Sequence, residues 1–280
     1  MKQLATILLL ILTLNSFSQS PWTQEKGKFY TQVSFTSIAN YDTLFGDPDY
    51  SNFGNYTDNT AQIFAEYGLN SKTSLLVNIP LKLISIDNFE DPRIDCATDC
   101  GRNFNESALG NIEIGIKHNF YKKNWAFSGQ FSLETNTGSY DAVSGIRTGY
   151  DAYTFTPLFL AGRGFANNYF QAFIGANIRT NNYSSNFKIG GEYGQRITDK
   201  IWLIGYLDIV KSLNNGTIIL PVSNTITGFY VNDQEYGGFG FKAIGEFTKN
   251  FGITAGLGAA FFANNLAQAP SLNIGLYHKF

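Results

Sequence analysis

Residues 271–280 read SLNIGLYHKF. Leu272, Ile274 and Leu276 occupy every second place, Ser271, Asn273 and Gly275 fill the gaps, and the chain stops on Phe280. Period two puts these sets on opposite faces of a strand. A strand that runs to the last residue with no tail after it predicts the closing strand of a barrel, and the rest of the chain is consistent with that reading.

The alternation recurs upstream. Ala61, Ile63, Ala65, Tyr67 and Leu69 share one parity, as do Leu75, Val77, Ile79, Leu81 and Leu83; Ile112, Ile114 and Ile116; Phe127, Phe131 and Leu133; Phe187, Ile189 and Tyr193; and Phe239, Phe241, Ala243 and Phe247. Short polar turns fall at 70–72, 121–124, 166–168, 198–200 and 248–250, and they alternate with longer irregular stretches near 40–58, 87–106, 136–150, 180–185, 214–233 and 264–268. A soluble sandwich has no reason to keep that order, whereas an outer-membrane barrel has short periplasmic turns and long extracellular loops. The pattern predicts an all-β, up-and-down transmembrane barrel of twelve antiparallel strands in one domain, residues 19–280. Each strand then receives roughly 22 residues, enough for a tilted span of about 9 to 11 plus its share of the connections.

Composition agrees. Aromatics reach 16%, charged residues only 15%, and formal net charge is −2. That balance argues against a nucleic-acid partner and against a basic membrane-surface patch, and it favours a glycine-rich sheet with an apolar exterior facing outer-membrane lipid. The opening, MKQLATILLLILTLNSFSQS, has one cation and an apolar run too short to span a bilayer, which predicts a secretory signal over residues 1–18 and a mature start at Gln19. The export route makes Cys96 and Cys100 of CATDC a candidate loop disulfide rather than a metal site.

Inward parity collects Glu66, Glu113, Glu134, Glu192, Asp208 and Glu246 against Lys82, Lys117, Arg179, Lys188, Arg196 and Lys242. These are the candidate lumen-lining residues. Their signs balance, so pairing across strands is the first expectation and a solute site the second. No catalytic role, cofactor or metal is expected. The two histidines, His118 and His278, lie on the apolar parity near periplasmic strand ends without the neighbours a general base needs, and Asp47 and Asp49 read as a solvated turn. Tyr30, Tyr121, Trp125, Tyr169, Trp202 and Phe251, near strand ends, suit interfacial girdles. The segment 154–165 mixes parities and leaves Arg163 open. The stretch 214–233 has room for a small hairpin whose Ile218, Ile219 and Leu220 fold over the mouth.

The motifs EYGLNSKTSLLVNIPL, SALGNIEIGIKHNF, GGEYGQRITDKIWL and GLYHKF resemble the bacterial outer-membrane transporter family named for a phenol-degradation pathway, and more distantly the fatty-acid and nucleoside channels. PWTQEKGKFY is similar to the start of barrel proteins common in Bacteroidetes. The resemblance implies a twelve-stranded barrel that admits small, often hydrophobic compounds. The sequence departs from that family's pattern at Ala108 (often Gly), at Asn111 (usually Asp) and at His278 (usually aromatic). It keeps Phe280, so the terminal strand is expected to serve as the insertion signal for the barrel-assembly machinery. Function is thus expected to be passive passage of a small solute across the outer membrane of a Gram-negative cell. The alternative is a non-transporting surface barrel whose extracellular loops bind a partner or polysaccharide.

Overall fold

The computed structural model describes residues 19–90 and 101–280. The expected signal and the Cys96–Cys100 pair lie outside the described residues.

The chain runs β1 (Phe29–Phe45), β2 (Tyr50–Asn70), β3 (Thr73–Phe89), β4 (Arg102–Leu109), β5 (Glu113–Lys122), β6 (Ala126–Glu134), β7 (Thr154–Gly164), β8 (Asn168–Arg179), β9 (Asn186–Thr198), β10 (Ile201–Ser212), a short helix α1 (Val222–Thr227), β11 (Glu235–Glu246), β12 (Phe251–Asn264), β13 (Leu266–Ala267) and β14 (Ser271–Lys279). Both β4 and β5 pair with β3, so they form one wall strand interrupted at residues 110–112. The two-residue β13 only extends the pairing of β1 at its upper end. Twelve wall strands remain, all antiparallel to their neighbours, and β1 pairs with β2 on one side and β14 on the other, which closes the barrel. Closure pairs every wall strand on both sides and leaves no edge, which lets a sheet cross lipid. No helix among the described residues is long and apolar enough to cross a membrane. The strands do the crossing.

Burial is inverted relative to a soluble protein. Val33, Ile63, Ile114, Phe131, Leu203, Phe241 and Ile274 are exposed, while Gln32, Glu66, Lys117, Gln130 and Asp208 are buried. Register keeps the apolar set in line across strands: Val33 stands opposite both Ile63 and Leu276. One slipped residue would send that whole row inward. Ile274→Arg, in the middle of β14, should therefore cost about 2 to 4 kcal/mol, the range for a cation on the lipid face near the bilayer midplane. Urea titration in lipid vesicles measures it, and a cost near zero would mean that this face does not meet hydrocarbon.

Several local expectations change. In β7 Leu158 and Leu160 are buried along with Thr154 and Gly162, while Phe159 is exposed, so this strand turns aliphatic side chains to the lumen. Arg163 shares the outward parity of Phe159, and its guanidinium lies 4.8 Å from the Phe165 ring centre at the periplasmic rim, where a long side chain reaches water from an apolar surface. Position near a strand end places Tyr30, Tyr169 and Trp202 in the lipid girdle. Parity overrides it: they alternate with the outward rows and line the lumen. Tyr121, Trp125 and Phe251 stay exposed. Residues 40–58 are mostly strand, because β1 and β2 continue together past the apolar band. Residues 214–233 hold α1 in place of a hairpin; Ile218 and Leu220 pack inward while Ile219 is exposed.

Candidate functional site

The lumen is filled from both ends. At the periplasmic end, residues 19–28 turn up into it. The Pro21 carbonyl accepts from Asn119 Nδ2 and Ser128 Oγ, the Gln24 N–H donates to Ser74 Oγ at 2.9 Å, and the Gly27 N–H donates to the Gly68 carbonyl at 2.8 Å. Ser74, Asn119 and Ser128 are buried on the inward faces of β3, β5 and β6. Small or polar residues at these places on three neighbouring strands make a groove that fits an extended chain. The Trp22 ring meets Tyr169 edge-on at 6.0 Å. Gly68 needs its bare Cα, since a Cβ there would lie 2.0 Å from the Glu25 carbonyl oxygen.

At the other end, residues 135–153 and 213–234 fold into the mouth. Ile146 and Phe229 pack on Tyr56, Ile84 and Ile86, which carry the inward parity of β2 and β3 above the charged zone. The two loops lock together at Asn224, which is wholly buried: its Oδ1 accepts from Arg147 Nε at 2.8 Å and its Nδ2 donates to the Phe229 carbonyl. Gly145, at φ +76°, passes so close to Ser223 that a Cβ would lie 2.1 Å from its carbonyl oxygen. Outside this contact, the Ser144 hydroxyl holds the Asp141 carboxyl below its ordinary range.

The break at residues 110–112 is where the first of these loops meets the wall. Thr137 Oγ1 accepts from the Ile112 N–H and lies 2.8 Å from the Gly110 carbonyl, and the Thr135 N–H donates to the Ile112 carbonyl. Asn111 is the fastener. Its Nδ2 donates to Glu134 and to the Tyr150 carbonyl, each at 2.9 Å, and its Oδ1 accepts from the Gly138 N–H at 3.0 Å. An Asp here could not donate to Glu134 when ionised. Asn111→Asp should thus loosen residues 135–150 by about 1 to 3 kcal/mol, the cost of a buried polar group losing its partner. Faster proteolysis within that loop, with the barrel intact, is the readout; unchanged proteolysis would deny Asn111 this role.

The lumen-lining candidates fall into three groups. Glu66 with Lys117 (3.0 Å), Glu192 with Lys242, and Lys82 with Asp58 (2.9 Å) form ion pairs inside the barrel, with Lys117 wholly buried. Asp58 was missed by sequence reasoning because it lies in a stretch read as loop; its parity with Glu66 on β2 was the available signal. Glu113, Glu134 and Lys188 line a mid-lumen cavity of about 290 Å³, while Arg179 covers the Tyr150 ring at 4.0 Å and Asp208 accepts from the Tyr236 hydroxyl at 3.1 Å. Arg196 and Glu246 sit lower, at the periplasmic rim, near Asp199 and Lys279 respectively. A second, larger cavity of about 490 Å³ lies between Trp22, Tyr30, Phe64, Tyr169 and Trp202, above the periplasmic rim. His118 faces out and its Nδ1 lies 2.9 Å from Thr73 Oγ1, while the His278 ring packs on Phe280. Asp49 accepts from Gly46 N–H within its own turn. Phe280 is exposed, with its N–H donating to the Phe29 carbonyl, where the barrel closes.

No protein-family model matches the chain, and no curated protein does. Solved structures do. The chain is similar to an outer membrane channel from Pseudomonas putida F1, with 13% identity, 96% of this chain and 100% of that one covered, and a TM-score of 0.66. It is also similar to the translocator domain of the autotransporter NalP from Neisseria meningitidis, with 12% identity, 92% and 90% coverage, and a TM-score of 0.55. Both are outer-membrane barrels, and the likeness is one of fold. A channel and a translocator domain share this architecture, so the lumen has to decide between uses.

Proposed function

We propose that this chain is an outer-membrane channel for a small solute, closed at rest and opened by movement of residues 19–28. The reading rests on one observation: a polar lumen that holds the two cavities described is entered from the periplasmic side by a segment outside the wall strands, seated by hydrogen bonds at Pro21, Gln24 and Gly27 and by the Trp22 ring. A short segment with no strand pairing of its own is the kind of element that exchanges between seated and released states. The aromatic walls of the larger cavity, Trp22, Tyr30, Phe64 and Trp202, favour a solute with an apolar or aromatic face. The buried ion pairs beside and above it are structural on this reading, since they neutralise one another.

The loops packed into the mouth and locked together at Asn224 favour a second reading, in which they present a rigid outer surface to a partner or polysaccharide and nothing passes through. Liposome swelling separates the two. Vesicles carrying the protein should swell in small neutral or aromatic solutes at a rate that a gene deletion mirrors as slowed uptake in cells. Neither swelling nor an uptake defect would leave the surface role.

A further inference from the structure

Glu113 and Glu134 stand directly opposite each other on β5 and β6, and both line the mid-lumen cavity. Like charges in directly opposed positions destabilise a sheet. Glu134 receives the Asn111 amide, whereas the Glu113 carboxylate has neither a hydrogen bond nor an ion pair among the described residues. Lys188 lines the same cavity but reaches neither carboxylate closely enough to pair. On the neighbouring strand Asp208, diagonal to Lys188, adds a third inward acid, and its Oδ1 is buried without a partner. The cavity lining itself thus sets two carboxylates against one cation, Lys188, and Arg179, outside that lining, is committed to the Tyr150 ring and the Ser184 carbonyl. The cavity also holds Gln130, 4% exposed, whose Oε1 and Nε2 both lack a partner. Acids in excess beside an unpartnered buried amide describe a site for a cation that also hydrogen-bonds.

An external cation must pass one of the two plugs, whereas Gln19 already lines this cavity. We propose that the Glu113–Glu134 pair is the binding site for the α-ammonium group of the chain's own processed N-terminus at Gln19. An α-amine is largely protonated at neutral pH. Its three N–H donors would supply the missing charge and have the Glu113 carboxylate as an open acceptor, with the Gln130 amide further down the lining of the same cavity. Residues 19–28 are on this view pinned at their tip by an ion pair inside the lumen, in addition to the contacts at Pro21, Gln24 and Gly27. The inference assumes cleavage before Gln19, but it does not need the channel reading, because an anchored segment could equally serve a barrel that transports nothing.

The full-length protein, purified from outer membranes, tests it. Intact-mass analysis and N-terminal sequencing should find a chain starting at Gln19 with a free amine. A chain starting elsewhere overturns the proposal. So does one in which that amine has attacked the Gln19 side-chain carbonyl carbon and expelled ammonia, leaving a neutral ring. The folded protein is then treated with an acylating reagent. The α-amine should react far more slowly than in the heat-unfolded chain, and Glu113→Gln with Glu134→Gln should restore roughly tenfold or more of its reactivity, as expected when charge-assisted hydrogen bonds are lost. Heat-modifiable gel migration shows whether that variant still folds; should it not, the single Glu113→Gln change, at the acid without other partners, gives the same comparison. Equal protection in folded wild type and variants would mean that burial alone shields the amine, and the proposal fails. Swelling rates of the same preparations report on the channel reading separately.

Discussion

Refolded protein lacking residues 19–26 should conduct ions steadily in planar bilayers where the intact chain is mostly closed. The groove that holds this segment is built from Ser74, Asn119 and Ser128, and once empty it joins the larger periplasmic cavity to the charged zone above it. A milder version changes only the groove. Asn119→Ala with Ser128→Ala removes both donors to the Pro21 carbonyl. It should weaken seating by about 1 to 3 kcal/mol, from two hydrogen bonds of ordinary net strength. Because 1.4 kcal/mol is a factor of about ten in an equilibrium constant, the open fraction should rise roughly tenfold or more. A truncated barrel that folds and stays as closed as the intact one would put the barrier at the extracellular loops instead.

The second large effect is on stability. Glu66→Gln leaves the Lys117 ammonium, wholly buried, with no carboxylate, and an unpaired buried charge typically costs about 3 to 5 kcal/mol. Replacing both residues together, Glu66→Leu with Lys117→Leu, should recover most of that loss, since a well-packed apolar pair of similar volume is often neutral or better. Equilibrium unfolding in urea, followed by gel migration, gives both numbers. If the single change costs less than about 1 kcal/mol, in the range of exposed pairs, then water reaches Lys117 and the lumen at that level is wet.

The wall was legible because its signal is repeated. Period two in one strand is weak, but outward rows such as Val33, Ile63 and Leu276 must agree across neighbours, and short and long connections alternate for geometric reasons. The contents of the lumen were not legible. Whether Tyr30 faces lipid or lumen depends on one residue of register, and nearness to a strand end does not determine it. Residues 19–28 carry no period, since they are held by side chains contributed from β3, β5 and β6. The fit of Ile146 and Phe229 over Ile84 and Ile86 comes from contacts far apart in sequence. One trace of it could be read: Ile84 and Ile86 continue the inward parity of Lys82, so apolar residues on that face announce something apolar to cover them.

The gap at residues 110–112 restricts what can move. Because Thr135 and Thr137 supply the backbone partners that a continuous strand would have had, the loop that carries them is masonry as much as lid. Swinging it outward would strip hydrogen bonds from the barrel itself. Of the segments that fill the lumen, residues 135–153 are thus part of the wall, which leaves residues 19–28 at the foot and residues 213–234 at the top as the parts free of that constraint.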